Sequence, residues 1–298
     1  MAAKAESGVT DGARHRLLLA LLILSWAVSW PVIKIGVATV PPIWYACFRY
    51  AIATFCVFTF LVARHEAGFP PRSDWPLIAV SGVFQMAAYS ALTAVALTIL
   101  PPGRASVLAF STPIWVVPLS NYWLHERASR AALFGIALGL LGVLAIAAPS
   151  VHGGPKQTIA YVMLSGAAAS WAISIVAVRA HRFTATTLAL APWQMLVAAW
   201  LLLPLAIVFE GAPRPIGISG AASLAYVGPI ATAFAYWAVV EAGRHFQAST
   251  MSMALLATPS LGILISALTL GEAVGVSLIA GVVLIAAGIR CVTYKPDE

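Results

Sequence analysis

Ser106–Glu126 reads SVLAFSTPIWVVPLSNYWLHE, and its skeleton of Thr112-Pro113 followed by Leu124-x-Glu126 returns 146 positions later as Thr258-Pro259 followed by Leu270-x-Glu272. Gly82, Gly135 and Gly142 recur at the same offset as Gly228, Gly281 and Gly288, while Ser25-Trp26-Ala27 recurs at 145 as Ser170-Trp171-Ala172. Ser29 then matches Ser174, and Lys34 matches Arg179. Apolar matches would be cheap in a chain that is 61% hydrophobic. Trp, Pro, Glu and basic residues held in one register are not, and they mark an internal duplication.

Only 9% of the residues are charged and the mean hydropathy is +0.93, whereas an ordinary soluble domain carries about 25% charged residues. Apolar runs of about 20 residues follow one another with short polar breaks, so the expected fold class is an all-α integral membrane protein with no separate soluble domain. The net charge of +7 comes from basic residues scattered singly through short loops. That pattern sets membrane topology and speaks against a nucleic-acid partner. Cys47, Cys56 and Cys291 all fall within apolar spans, an arrangement for packing rather than for disulfides.

Arg14-His15-Arg16 precedes an apolar run that resembles the opening of a signal peptide. The run extends to about 38 and many more follow, so an uncleaved first helix is expected. Ten spans are expected near 17–38, 42–63, 75–98, 104–123, 130–148, 157–178, 184–208, 221–241, 248–270 and 273–293. Turn chemistry separates them at Pro41-Pro42, Gly68–Pro71, Pro101-Pro102-Gly103, Gly153-Gly154-Pro155 and Gly211–Pro215. The chain then divides into a tail (1–16), a five-helix half (17–148), a junction loop (149–156), a second five-helix half (157–293) and a tail (294–298). With both tails on the cytoplasmic side, twelve Lys and Arg residues in tails and loops lie inside and three, Arg104, Lys156 and Arg214, lie outside. This asymmetry gives an N-in, C-in topology. Five is odd, so the second copy enters the membrane upside down, as an inverted-topology repeat.

Inverted repeats allow one fold to expose a midplane site to either side in turn, which points to transport by alternating access. Polar groups facing lipid are costly, so polar lines on the spans should face the bundle interior. Gln85, Tyr89 and Thr93 form such a line, with Ser90 adjacent, and Thr232, Tyr236 and Trp237 form its repeat mate. Ser25 and Ser29, like Ser170 and Ser174, are small stripes suited either to close helix packing or to a cavity. Trp75 and Trp123 read as interface anchors; Trp30, Trp115, Trp171 and Trp237 lie deeper. The candidate substrate contacts are Trp30, Lys34, Tyr89, Ser90, Trp115, Trp171, Ser174, Tyr236, Trp237 and Thr258.

Lys34 lies roughly 6 Å and Arg49 roughly 10 Å from the outer ends of their spans at about 1.5 Å per residue. Either could receive a substrate carboxylate, and Phe48-Arg49-Tyr50 also reads as a helix-to-helix tie. All ten acids fall in tails, loops or span ends, and so do all six His residues. Proton-coupled pumps commonly use intramembrane acids or His relays, so movement down the substrate's own gradient is expected. Glu126 and Glu272 are expected to cap the helices that follow them. Pro31, Pro113 and Pro259 interrupt helices as hinges or cavity-shaping kinks, and the glycines of the fifth and tenth spans suit scaffolding or dimer contact. No metal or cofactor is expected. An enzyme is disfavoured, since no Ser or Thr has a buried His or acid partner.

Ser25-Trp26-Ala27 with Lys34, Phe48-Arg49-Tyr50, Thr112-Pro113 with Glu126, and their second-half echoes resemble the EamA-type members of the drug/metabolite transporter superfamily. The resemblance spans nearly the whole chain and within that group is greatest to the YddG-type exporters of aromatic amino acids. It implies export of amino acids or related metabolites across a bacterial inner membrane, through a central cavity between the halves. The second half departs at Gln194, where Arg49 would recur. A Trp- and Tyr-rich, weakly charged cavity suits an aromatic or apolar body, with hydroxyls and Lys34 for a zwitterionic head. The remaining partner is the bilayer; an oligomer is permitted but not required.

Overall fold

A computed structural model describes residues 2–125, 129–147, 154–181, 184–246, 251, 254–255 and 257–293, and their side chains except at 2–13, 132 and 292–293. Eleven helices occur among the described residues: α1 (Ala2–Val37), α2 (Pro42–Ala63), α3 (Arg72–Ile99), α4 (Pro102–Ala109), α5 (Thr112–Leu124), α6 (Arg130–Ala147), α7 (Pro155–Ala180), α8 (Thr187–Glu210), α9 (Ile218–His245), α10 (Ala257–Leu270) and α11 (Val276–Thr293). Six of them, α1, α2, α3, α7, α8 and α9, are long and apolar enough to cross a membrane. The outside of the bundle is apolar, with Phe55, Trp200 and Val208 exposed, as lipid contact requires. Trp75 and Trp123 are exposed as well.

The span expected at 104–123 is broken into α4 and α5, a correction with a local cause. Pro113 has no N–H to give the carbonyl four residues back, and the Thr112 hydroxyl takes that Ala109 carbonyl at 3.0 Å, while Ser111 Oγ takes Leu108 O at 2.6 Å. Two further departures from α geometry are π-helical segments, Ser81–Ala88 within α3 and Val227–Phe234 within α9. Their ends differ by the repeat offset of 146. In the second, Thr232 Oγ1 donates to Val227 O, five residues back, at 2.8 Å. The second residue of each segment is a glycine at a close approach. A Cβ on Gly82 would sit 2.7 Å from Val197 and 2.8 Å from Gln194 O, and one on Gly228 would sit 2.6 Å from Ile52.

Packing exchanges the halves. α1 packs on α9 and α10, just as α7 packs on α3, α4 and α5; α2 packs on α8, and α6 on α11. Gly288 lies against the Gly135 carbonyl and the Gly139 backbone, and Gly142 against Gly281, so the glycine faces of α6 and α11 are used on each other within the chain. The core runs along these seams. Val37, Trp44, Leu97, Leu100, Leu108, Leu164 and Leu224 are buried together at the end of the bundle near Lys34, and Tyr50, Ala53 and Val57 meet Met195, Ala198 and Leu202 between α2 and α8.

Candidate functional site: a central aromatic cavity

A cavity of about 320 Å³ lies between α1, α2, α3, α7, α8 and α9. Its walls carry Trp26, Trp30, Tyr50, Tyr89, Phe110, Trp171 and Tyr236, with Arg49, Gln85, Thr93, Gln194 and Thr232 as the polar groups that matter most. The rings are placed by each other. Tyr89 meets Trp171 edge to face with centroids 4.7 Å apart, and Phe110 lies 6.4 Å from both Trp26 and Trp30. Such pairs prefer tilted or edge-on contact because of the ring quadrupole. Among the described residues no carboxylate lines the cavity, and Arg49 is its one formal charge.

The π segments position the polar wall. Trp26 Nε1 of α1 donates to Ala231 O in the α9 segment at 3.2 Å, and Ser170 Oγ of α7 donates to Phe84 O in the α3 segment at 2.6 Å. Each half's first helix thus reaches the other half's π segment, at positions that neighbour one another in the repeat. Arg49 Nε donates to Thr232 Oγ1 at 2.7 Å, joining α2 to α9. Tyr236 donates to Gln194 Oε1 at 2.9 Å, and Ser174 Oγ lies 3.1 Å from both Gln85 Oε1 and Ser81 Oγ.

Of the residues expected to contact substrate, Trp30, Tyr89, Trp171 and Tyr236 line this cavity together. Ser174 stands behind the wall, holding Gln85, and Ser90 is engaged with the Tyr50 hydroxyl at 2.8 Å. Trp115 is half-buried and outside the lining. Trp237 follows Tyr236 directly, points to another face and lines a smaller apolar cavity with Cys56 and Phe60. Thr258 is fully buried without a hydroxyl partner. Lys34 departs furthest from expectation: its Nζ donates to Leu97 O at 2.6 Å, Leu100 O at 3.2 Å and Thr98 O at 3.3 Å. It caps the C-terminus of α3, where the helix dipole favours a cation.

Glu272 does not cap the helix that follows it. It accepts from Gly103 N at 2.7 Å and Arg104 N at 3.2 Å, so it caps α4 from across the molecule. Burial pushes its carboxyl upward, while those two N–H groups and the charges of Arg104 and Lys34 pull it down. Glu126 lies outside the described residues. Of the prolines expected as hinges, Pro31 sits inside α1, Pro113 at the start of α5 and Pro259 at the start of α10. Gln194, Met86 and Met195 were not expected in the wall; Gln194 was legible as the repeat mate of Arg49, but the methionines carried no signal. Among the described residues one group brings three potential metal ligands together, His15, Glu241 and His245, with ligand atoms within 4.8 Å, but it joins α1 to the C-terminal end of α9 and none of the three lines the cavity.

The EamA-like transporter family matches twice, over residues 15–148 and again over 158–294. The chain belongs to that family. Similar relatives include a protein named as a probable terminal-alkyne amino-acid exporter of Streptantibioticus cattleyicolor, 30% identical over 90% of this chain and 91% of the relative. The aromatic amino acid exporter YddG of Ancylobacter novellus is 27% identical over 56% of this chain and 58% of its own length. A solved crystal structure at 24% identity superposes with a TM-score of 0.64 over 94% of this chain and 97% of the other, a likeness of fold. This EamA-family chain is accordingly a multi-pass membrane transporter and not an enzyme.

Proposed function

We propose that this EamA-family protein exports amino acids, aromatic or apolar ones and their close metabolites, across a bacterial inner membrane by alternating access. The observation that carries the reading is the composition of the cavity: seven aromatic rings and one guanidinium, without a carboxylate among the described residues. Rings suit an apolar body, and a few polar groups fix its orientation. The exporter names of the relatives agree with this in substrate class.

The ten-span, N-in, C-in arrangement of two inverted halves, 17–148 and 157–293, supplies the mechanism. In that topology the Lys34 end of the bundle faces outward. The cavity wall stops there at Ile33 and Phe110 but continues through Val178, Thr187, Val239 and Val240 toward the other end. In this reading the conformation faces the cytoplasm. Exchanging the roles of the two halves closes that end and opens the other. The π segments and the breaks at Pro113 and Pro259 are where the helices bend. With no acid in the cavity, transport needs no coupling proton.

Flux in proteoliposomes tests this. Labelled phenylalanine or tryptophan is expected to move down its gradient at a rate indifferent to an imposed pH difference. A rate that follows the pH difference would overturn the uncoupled mechanism, and no flux of any amino acid would overturn the export reading.

A further inference from the structure

We infer that Arg49 is the receptor for a substrate carboxylate, that the cavity requires this carboxylate, and that it makes no use of an α-ammonium group. The inference rests on the transport reading above and narrows its substrate class to aromatic carboxylates, including N-acylated amino acids.

Arg49 is the starting point. A guanidinium stays charged at any physiological pH and offers five N–H donors in a planar fork. Its Nε is taken by Thr232 Oγ1, which fixes the plane of the group. Among the described residues no acceptor meets Nη1 or Nη2, and the guanidinium carbon lies 5.5 Å from the centroid of the Tyr50 ring. A charge in a largely apolar cavity without a counter-ion is expensive. A bidentate carboxylate is the ligand whose geometry fits the open half of the fork.

Three other polar groups point the same way. The Oε1 atoms of Gln85 and Gln194 are occupied by Ser174 and Tyr236, which leaves their amide N–H groups as the free halves. Thr93, buried and in the wall, has a hydroxyl without any partner. The two amides thus offer unused donors, and the Thr93 hydroxyl can donate as well as accept, on a site whose one charge is positive. An ammonium two bonds from a carboxylate on Arg49 would stand near the guanidinium and find no carboxylate of the protein among the described lining residues. Lys34, the other cation in the first half's spans, is committed to three backbone carbonyls and stands outside the cavity.

The test is a ligand series read by thermal shift and tryptophan fluorescence on detergent-purified protein, followed by competition against labelled phenylalanine in proteoliposomes. Binding is measured apart from flux, so a failed export reading and a failed carboxylate assignment are separable. N-acetylphenylalanine is expected to bind at least as tightly as phenylalanine. Phenylalaninamide is expected to bind about tenfold to a hundredfold more weakly, the size of a lost charge-assisted contact. Arg49→Gln should bring N-acetylphenylalanine and the amide to similar weak affinity, and Arg49→Lys should restore part of the difference. The wild-type series stands if either variant fails to assemble. Binding of the amide as tight as that of phenylalanine, or a loss of more than tenfold on N-acetylation, would overturn the assignment.

Discussion

The two ends of the bundle are built from similar helices and use similar fastenings in different places. At the Lys34 end the fastenings cross between halves. Glu210 accepts from Ile43 N and Trp44 N at 2.9 Å each, Glu272 accepts from Gly103 N and Arg104 N, Trp44 Nε1 reaches Gly211 O, and Tyr45 shares a 2.6 Å hydrogen bond with Ser223. Both acids serve a helix that starts with Pro-Pro, at 41–42 and 101–102, where the first free N–H groups follow the prolines directly. At the His15 end the described fastenings also cross between halves, but they gather around α3 and α7: Asp74 accepts from Thr184 N and Ala185 N, Trp193 Nε1 donates to Gly68 O, and Arg179 Nη1 donates to Ser120 Oγ. On the α1–α9 side, among the described residues, His15 stacks on His245 beside Glu241. Transport by alternating access requires both ends to be breakable. Under the alternating-access proposal, the Lys34 end is the closed one in this conformation.

Four variants sharpen or break that contrast. Glu210→Ala with Glu272→Ala orphans four backbone N–H groups at two helix starts. At about 1 kcal/mol for each lost partner, the pair should cost roughly 4 kcal/mol. Denaturation in detergent measures this, and a loss under about 1 kcal/mol would mean that water substitutes for both caps. Lys34→Met removes a charged donor from three carbonyls and should cost about 1.5–3 kcal/mol. It should also increase labelling of an Ile33→Cys reporter by an impermeant maleimide added from outside; unchanged labelling would remove Lys34 from the barrier. Asp74→Ala should cost less, about 1–2 kcal/mol, and leave that outside labelling unaltered. Arg64→Ala breaks an exposed pair with Glu66 and should change stability by less than about 0.5 kcal/mol, within what exposed ion pairs contribute.

The contrast also divides what could be read in the chain from what could not. Many helix ends fall within a few residues of expectation because Pro and Gly punctuate them and apolar runs fill the intervals, but α1 begins at Ala2 rather than near 17 and the span expected at 104–123 is two helices. Tyr89 and Tyr236 were legible as cavity residues because a polar group on a lipid-spanning helix has one economical direction to face. Lys34 was misread for the same reason: a cation near a span end can be satisfied by a substrate or by the carbonyls of another helix end. Only the approach of α3's C-terminus to α1 decides which. The break before Pro113 had a local cause, whereas the π segments had only their glycines to betray them.

Sequence by itself determined the duplication, the membrane-embedded helical class and the confinement of acids to tails, loops and span ends, since these depend on residue type and spacing along one chain. Tertiary structure alone decided that Arg49 faces the cavity while Lys34 closes a helix, that Trp171 enters the wall while Trp237 leaves it, and that Glu272 serves α4 rather than its own neighbour. A side chain's direction is set by the local helical register and its partner by whichever backbone comes within about 3 Å. The π segments shift the first, and the packing of the two halves supplies the second.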